Sequence, residues 1–279
     1  MRKFMIFAAA AALLVACEKP CENCNQFVEV GGVTYRTVTL ANGQTWMAEN
    51  LRVVPEGETV SEDPKTGNVW YPAAPGEGKA LKDEAAVKQM GLLYNHVAAL
   101  GMDAAKIDAL VKANDAAGLE TYLKGFEGAQ GICPEGWHVP TAAEYAAVFG
   151  KGIGDIETVA SAQFYDKDLD YGDYSAANAA GYNFQLAGTV FKAGFTAAGM
   201  YNNKTIKDNK NEEWNGKNSL TYAISSTLYK VNAKADAISN AQFYGLMSNF
   251  AAKYAEKGGL ALSYNAIGSG CTVRCVKNN

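Results

Sequence analysis

Cysteine supplies most of the chemistry open to this chain of 279 residues. The six cysteines are Cys17, Cys21, Cys24, Cys133, Cys271 and Cys275. Cys17 follows Leu14-Val15-Ala16, behind an apolar run from Phe4 and a positive Met1-Arg2-Lys3 start. That order matches a lipobox, in which signal cleavage frees the cysteine and its thiol takes a diacylglyceryl group. It predicts residues 1–16 as a lipoprotein signal peptide, 17–26 as a polar lipidated tether, and a membrane as the first partner. With Cys17 acylated, an odd number of thiols remains, so at least one is free, modified or intermolecular. A Cys133–Cys275 bridge would tie the middle of the chain to its end, and Cys271 competes for the same partner. Cys21-x-x-Cys24 has no second such pair and no βαβ pattern nearby. Local bridging or free thiols therefore outrank a redox or zinc role there.

Carboxylates offer a second chemistry. Asp166, Asp168 and Asp170 alternate as calcium ligands do, with Asp173 close behind. An EF-hand is excluded, because Gly172 falls one place late for the loop's turn and Ala177 stands where a bidentate Glu is required. What remains is a calcium site of another kind, set against a solvated acidic loop. No other metal or cofactor is expected. His96 has no second ligand at metal spacing. His138 reads as a packed strand residue rather than a base. Trp70, Tyr71 and Trp214 are the candidate ligand contacts, the first two within a Pro- and Gly-rich stretch over 55–80 that reads as a long loop. Glu49 and Asn50 could act as a polar pair, but satisfying nearby backbone is the simpler task for them.

Charge narrows the partners. Lys and Arg number 25 and Asp and Glu 29, so the net charge is −4, and −6 once Arg2 and Lys3 leave with the signal. No basic block interleaves with aromatics, which argues against nucleic acid. No stretch after the signal is long and apolar enough to span a bilayer.

The elements that must hold these residues centre on Ile132–Tyr145, I-C-P-E-G-W-H-V-P-T-A-A-E-Y. Pro134-Glu135-Gly136 is turn chemistry. Trp137-His138-Val139 alternates as a short strand, and Thr141 with Glu144 forms a capping box that predicts a helix burying Tyr145, Val148 and Phe149. Upstream, Asn42-Gly43 between apolar runs predicts a hairpin. Helices are expected over 81–90 and 103–123. From Tyr182 short strands follow, including Thr221–Ser226, Tyr229–Val231, Leu260–Tyr264 and Thr272–Val276, while 236–254 fits strand or helix equally.

Several blocks occur together in a fixed order: W-M-A-E-N-L from Trp46, G-L-L-Y-N from Gly91, C-P-E-G-W-H-V-P-T from Cys133, I-S-S from Ile224 and V-R-C-V from Val273. The series resembles the Fibrobacter succinogenes major paralogous domain, found in exported proteins and lipoproteins, over roughly residues 27–277. The resemblance implies an α+β, C-type-lectin-like fold with a split antiparallel sheet, flanking helices and long loops. It implies one domain over 27–279 with a helical insertion around 101–127. It favours Cys133–Cys275 as the bridge and leaves Cys271 as an extra. It brings no catalytic residues. Two departures are the long insertion and Tyr145, where the motif usually has Trp.

Together these features predict an outer-membrane lipoprotein that acts as a non-enzymatic surface binding or adhesion module for a glycan or protein. The calcium motif of sugar-binding lectins is not evident, since Trp214-Asn215 is followed by Gly216. The alternatives are a structural subunit of an envelope or fimbria-like assembly and, less favoured, an enzyme like the formylglycine-generating enzymes, which use C-terminal cysteines.

Overall fold

The computed structural model describes residues 26–74, 79–149, 154–155, 187–191, 194–195, 220–232, 241–249 and 259–279. Its elements mix helix and strand, and the sheets are largely antiparallel. In chain order the strands are β1 (Gln26–Val30), β2 (Val33–Thr39), β3 (Thr45–Met47), β4 (Val60–Ser61), β5 (Val69–Trp70), β6 (Leu93–Tyr94) and β7 (Trp137–His138). They continue with β8 (Gly154–Asp155), β9 (Val190–Phe191), β10 (Gly194–Phe195), β11 (Leu220–Val231), β12 (Ala241–Asn249), β13 (Gly259–Ala266) and β14 (Val276–Lys277). The helices are α1 (Glu84–Met90), α2 (His96–Leu100), α3 (Ala104–Lys112), α4 (Ala116–Lys124) and α5 (Ala142–Phe149).

Turn chemistry sets the first sheet. Gly31 and Gly32 both take positive φ, which a two-residue hairpin with right-handed twist demands, and they fold β1 onto β2. The Asn42-Gly43 hairpin forms as expected: Gly43 has φ +83° and the Asn42 side-chain oxygen accepts from the Gln44 backbone N–H. β14 then enters between β3 and β7, so the C-terminus lies inside the five-stranded order β1-β2-β3-β14-β7. Val276 pairs with Trp46 on one side and His138 on the other. The second large sheet runs β11-β12-β13-β8, and β4-β5-β6 forms a small third.

The stretch over 55–80 is not all loop. Val69-Trp70 pairs with Tyr94-Leu93 and, in parallel, with Val60-Ser61. Two-residue strands leave too little periodicity to be read among prolines and glycines. Tyr229–Val231 and Thr221–Ser226 likewise belong to one twelve-residue strand, β11. The Ala241–Asn249 part of the ambiguous segment is strand.

Short polar side chains start each helix. Asp83, Asn95, Asp103 and Asp115 accept backbone N–H groups in the first turns of α1 to α4, each worth about 1 kcal/mol. α3 and α4 pack as a hairpin with Ile107, Leu119 and Leu123 buried, and the Tyr122 hydroxyl accepts from the Asp103 backbone at 2.9 Å. The main core gathers Tyr35, Met47 and Phe243 from both large sheets, Tyr94 from the small one, and Leu51, Val139 and Val273 from the segments between strands.

Candidate functional site

The block from Cys133 to Tyr145 is built as a set of clamps. Thr141 and Glu144 close the capping box in both directions: the Thr141 backbone donates to the Glu144 carboxylate at 2.8 Å, and Glu144 N–H donates to the Thr141 hydroxyl at 3.2 Å. Tyr145 is fully buried, lies 5.3 Å from the Trp46 ring and donates its hydroxyl to the Ile224 carbonyl. Val148 is half-buried, and the side chain of Phe149 lies outside the described residues. Cys133 and Cys275 form a disulfide, joining the turn before β7 to the residue before β14. Cys271 is free and fully buried. Burial pushes its thiol up to about 12, even with Asn265 donating to the sulfur, so a thiolate is not available at neutral pH.

His138 sits between two acceptors. One ring nitrogen lies 2.9 Å from the Glu144 carboxylate and the other 2.6 Å from the Asn278 side-chain oxygen. Both contacts suit a ring protonated at both nitrogens. The Glu144 hydrogen bond raises the His138 pKa against the opposing effect of burial. Burial pushes Glu144 up, but hydrogen bonds from His138 and Thr141 prevail and its pKa is lowered. His138 therefore links β7, α5 and the chain end, with neither nitrogen left over for a substrate. His96 is different. It is fully buried, stacks on Phe243 at 4.4 Å, and burial lowers its pKa to about 3, so it stays neutral.

Glu49 and Asn50 serve backbone groups, as the simpler reading expects, but ones distant in sequence rather than nearby. Glu49 accepts the Arg36 N–H at 2.6 Å, and Asn50 donates to the Met90 carbonyl at 2.7 Å. Asn50 also accepts from Nε of Arg274, a guanidinium with no exposure at all.

The predicted ligand contacts separate. Trp70 is 2% exposed, and its indole N–H is taken by the Asp63 carbonyl. It is a core residue, packed so tightly that a Cβ on Gly270 would stand 2.7 Å from its ring. Tyr71 beside it is half-buried. Cys17, Cys21, Cys24, Trp214 and Asp166, Asp168, Asp170 and Asp173 lie outside the described residues. Among the described residues, no three His, Cys, Asp or Glu side chains are grouped to hold a metal ion.

An aromatic cluster appears instead on the β11-β12-β13 sheet. Tyr229 and Tyr264 are 39% and 44% exposed, and their rings stack at 4.4 Å with 9° between planes. Tyr244, the cross-strand partner of Tyr264, meets Tyr229 edge-on at 5.1 Å. The Lys230 ammonium stands over both exposed rings, 5.4 Å and 5.9 Å from their centroids. A bulge creates this arrangement. Leu228 pairs with Phe243 and Lys230 with Gln242, so Tyr229 is an extra residue in β11, and such insertions re-aim side chains. Sequence reading passes over the three tyrosines because each sits in a separate apolar run; only the register brings them together.

The described residues form a mixed α+β fold in which the C-terminal strand enters an N-terminal sheet and is bridged to a central cysteine turn. The Fibrobacter succinogenes major domain matches residues 40–277. This chain belongs to that family. No curated protein and no solved structure matches it.

Proposed function

We propose that this chain is a cell-envelope lipoprotein whose domain is a non-enzymatic surface binding module, with the Tyr229–Tyr244–Tyr264 cluster as its ligand face. The observation that carries the reading is the exposed, mutually stacked pair Tyr229 and Tyr264 beneath Lys230. Large aromatic rings held rigid on a sheet present contact area to a ligand at low entropic cost. Tyrosine also offers a hydroxyl, which suits glycans and protein surfaces alike.

Against an enzyme stand the cysteines: Cys275 is committed to a disulfide and burial pushes the Cys271 thiol up to about 12. For the lipid anchor and outer-membrane location, support comes from the lipobox ending at Cys17. Among the described residues, no helix is long and apolar enough to cross a membrane. A C-type-lectin-like fold is our reading of the returning C-terminal strand and its bridge. Calcium at Asp166, Asp168, Asp170 and Asp173 enters only as a condition to vary.

A glycan array and a panel of immobilised envelope proteins, probed with the chain in calcium and in EDTA, test the binding reading. Binding that disappears in a Tyr229→Ala/Tyr264→Ala variant of unchanged thermal stability is the expected result. Binding indifferent to those substitutions, or no binding in any condition, overturns it. Replacing Cys17 with Ser tests the anchor: a mutant still labelled by palmitate and held in the membrane would refute lipidation.

A further inference from the structure

We infer that the tyrosine face takes an acidic glycan, with a uronate sugar stacked on the rings and its carboxylate paired to Lys230. The inference rests on the binding reading above and names its ligand class. Charge is the first ground. Lys230 is the only charged residue among the residues of β11, β12 and β13. None of the ion pairs between described residues includes it. Among the described residues, two carboxylates come near by sequence or pairing. Glu127 is occupied by the Thr227 hydroxyl at 2.9 Å. Asp155 belongs to β8, whose pairing reaches β13 at Gly259 and Leu260, roughly 17 Å along the strand from Tyr264 at the usual rise per residue. An ammonium held over aromatic rings, with no counter-charge among the described residues, is a ready partner for an anion.

Shape is the second ground. The bulge at Tyr229 turns consecutive residues of β11 toward one surface, so cation and ring act on the same ligand. A pyranose has an apolar C–H face for the ring and hydroxyls at its rim. Gln242, paired with Lys230 across the strands, has a side-chain oxygen with no donor. A chain of net charge −4 has no general attraction for polyanions, so preference for one must be local.

Polygalacturonate and its fully methyl-esterified form share a backbone and differ only in the carboxylate. Biolayer interferometry with the full-length chain in detergent should show tighter binding to the acid than to the ester. Lys230→Gln should weaken the acid about tenfold and leave the ester unchanged. Tyr229→Ala/Tyr264→Ala should abolish both, with thermal melts confirming that each variant folds. Equal binding to acid and ester, or no effect of Lys230→Gln, overturns the uronate assignment and leaves the binding module standing. No binding to either polymer also overturns it, and the array result then decides the broader reading separately.

Discussion

Breaking the Cys133–Cys275 bridge should cost this domain as much as a large-to-small substitution in its core. The two cysteines lie 142 residues apart, and both are buried. Closing a loop of that length removes unfolded-state entropy worth about 5 kcal/mol in the chain-entropy account, with typical measured values of about 2–4. The bridge also holds the strand that completes the first sheet, since the Cys275 carbonyl accepts the Met47 N–H at 3.0 Å. We therefore expect a Cys133→Ala/Cys275→Ala variant to lose about 3–5 kcal/mol, which at this size lowers Tm by roughly 10–15 °C. Calorimetry at pH 7 on the wild type, both single variants and the double gives the numbers. Either single should cost nearly as much as the double, because removing one sulfur already opens the loop. Reductant should lower the wild-type Tm and leave the double variant's unchanged. A double variant melting within about 2 °C of wild type, or singles whose effects simply add, would refute the reasoning.

Other perturbations test other parts. Asn50→Leu removes the partner of the Met90 carbonyl and one partner of the buried Arg274 guanidinium; denaturant unfolding should show a loss of about 3 kcal/mol. Gly91→Ala places a Cβ 2.5 Å from that of Asn50 at φ +76°, and should cost about 2–4 kcal/mol in the same assay. Because the His138 pKa is raised when folded, its stabilising effect is complete below the unfolded value near 6.5 and fades as pH rises through the folded value. Melting curves of wild type against His138→Gln across that range should converge at high pH; parallel curves would show that the ring is neutral in the fold. For Glu144 the sign reverses: its pKa is lowered, so Glu144→Gln should cost stability above pH 4.5 and lose that penalty as pH falls through the folded value.

What could be read from sequence is what is local. The capping box and the Asn42-Gly43 turn are decided by side chains bonding within three residues, and each forms. Tertiary partners are invisible on that scale. Asn278 lies 140 residues from His138, so nothing near His138 announces that its second nitrogen is engaged. Trp70 fails for a related reason. Its strand is two residues long within proline- and glycine-rich sequence, and its burial comes from Gly270 and Val190, far down the chain. The tyrosine face needs more still. It requires the register of three strands and a bulge, and a bulge reverses the alternation on which a period-two reading depends.

The irregularities of β11 serve both halves of the molecule. Between Ile224 and Leu228 the register slips, and the residues freed there do not lie idle. Ser226 donates its backbone N–H to the Pro140 carbonyl, and its hydroxyl accepts the Gly128 N–H. Thr227 accepts the Ala142 N–H at the start of α5 and donates to Glu127. A regular strand would spend the Ser226 N–H on β12 and carry the Thr227 hydroxyl out of register with the first turn of α5. The second slip, at Tyr229, comes two residues later. One strand thus anchors the cysteine block through its hydroxyls and projects the aromatic face through its bulge. Deleting a residue between Ser225 and Tyr229 would turn the following side chains over and separate Tyr229 and Lys230 from Tyr244 and Tyr264, so the I-S-S block and the tyrosine face must keep their spacing together.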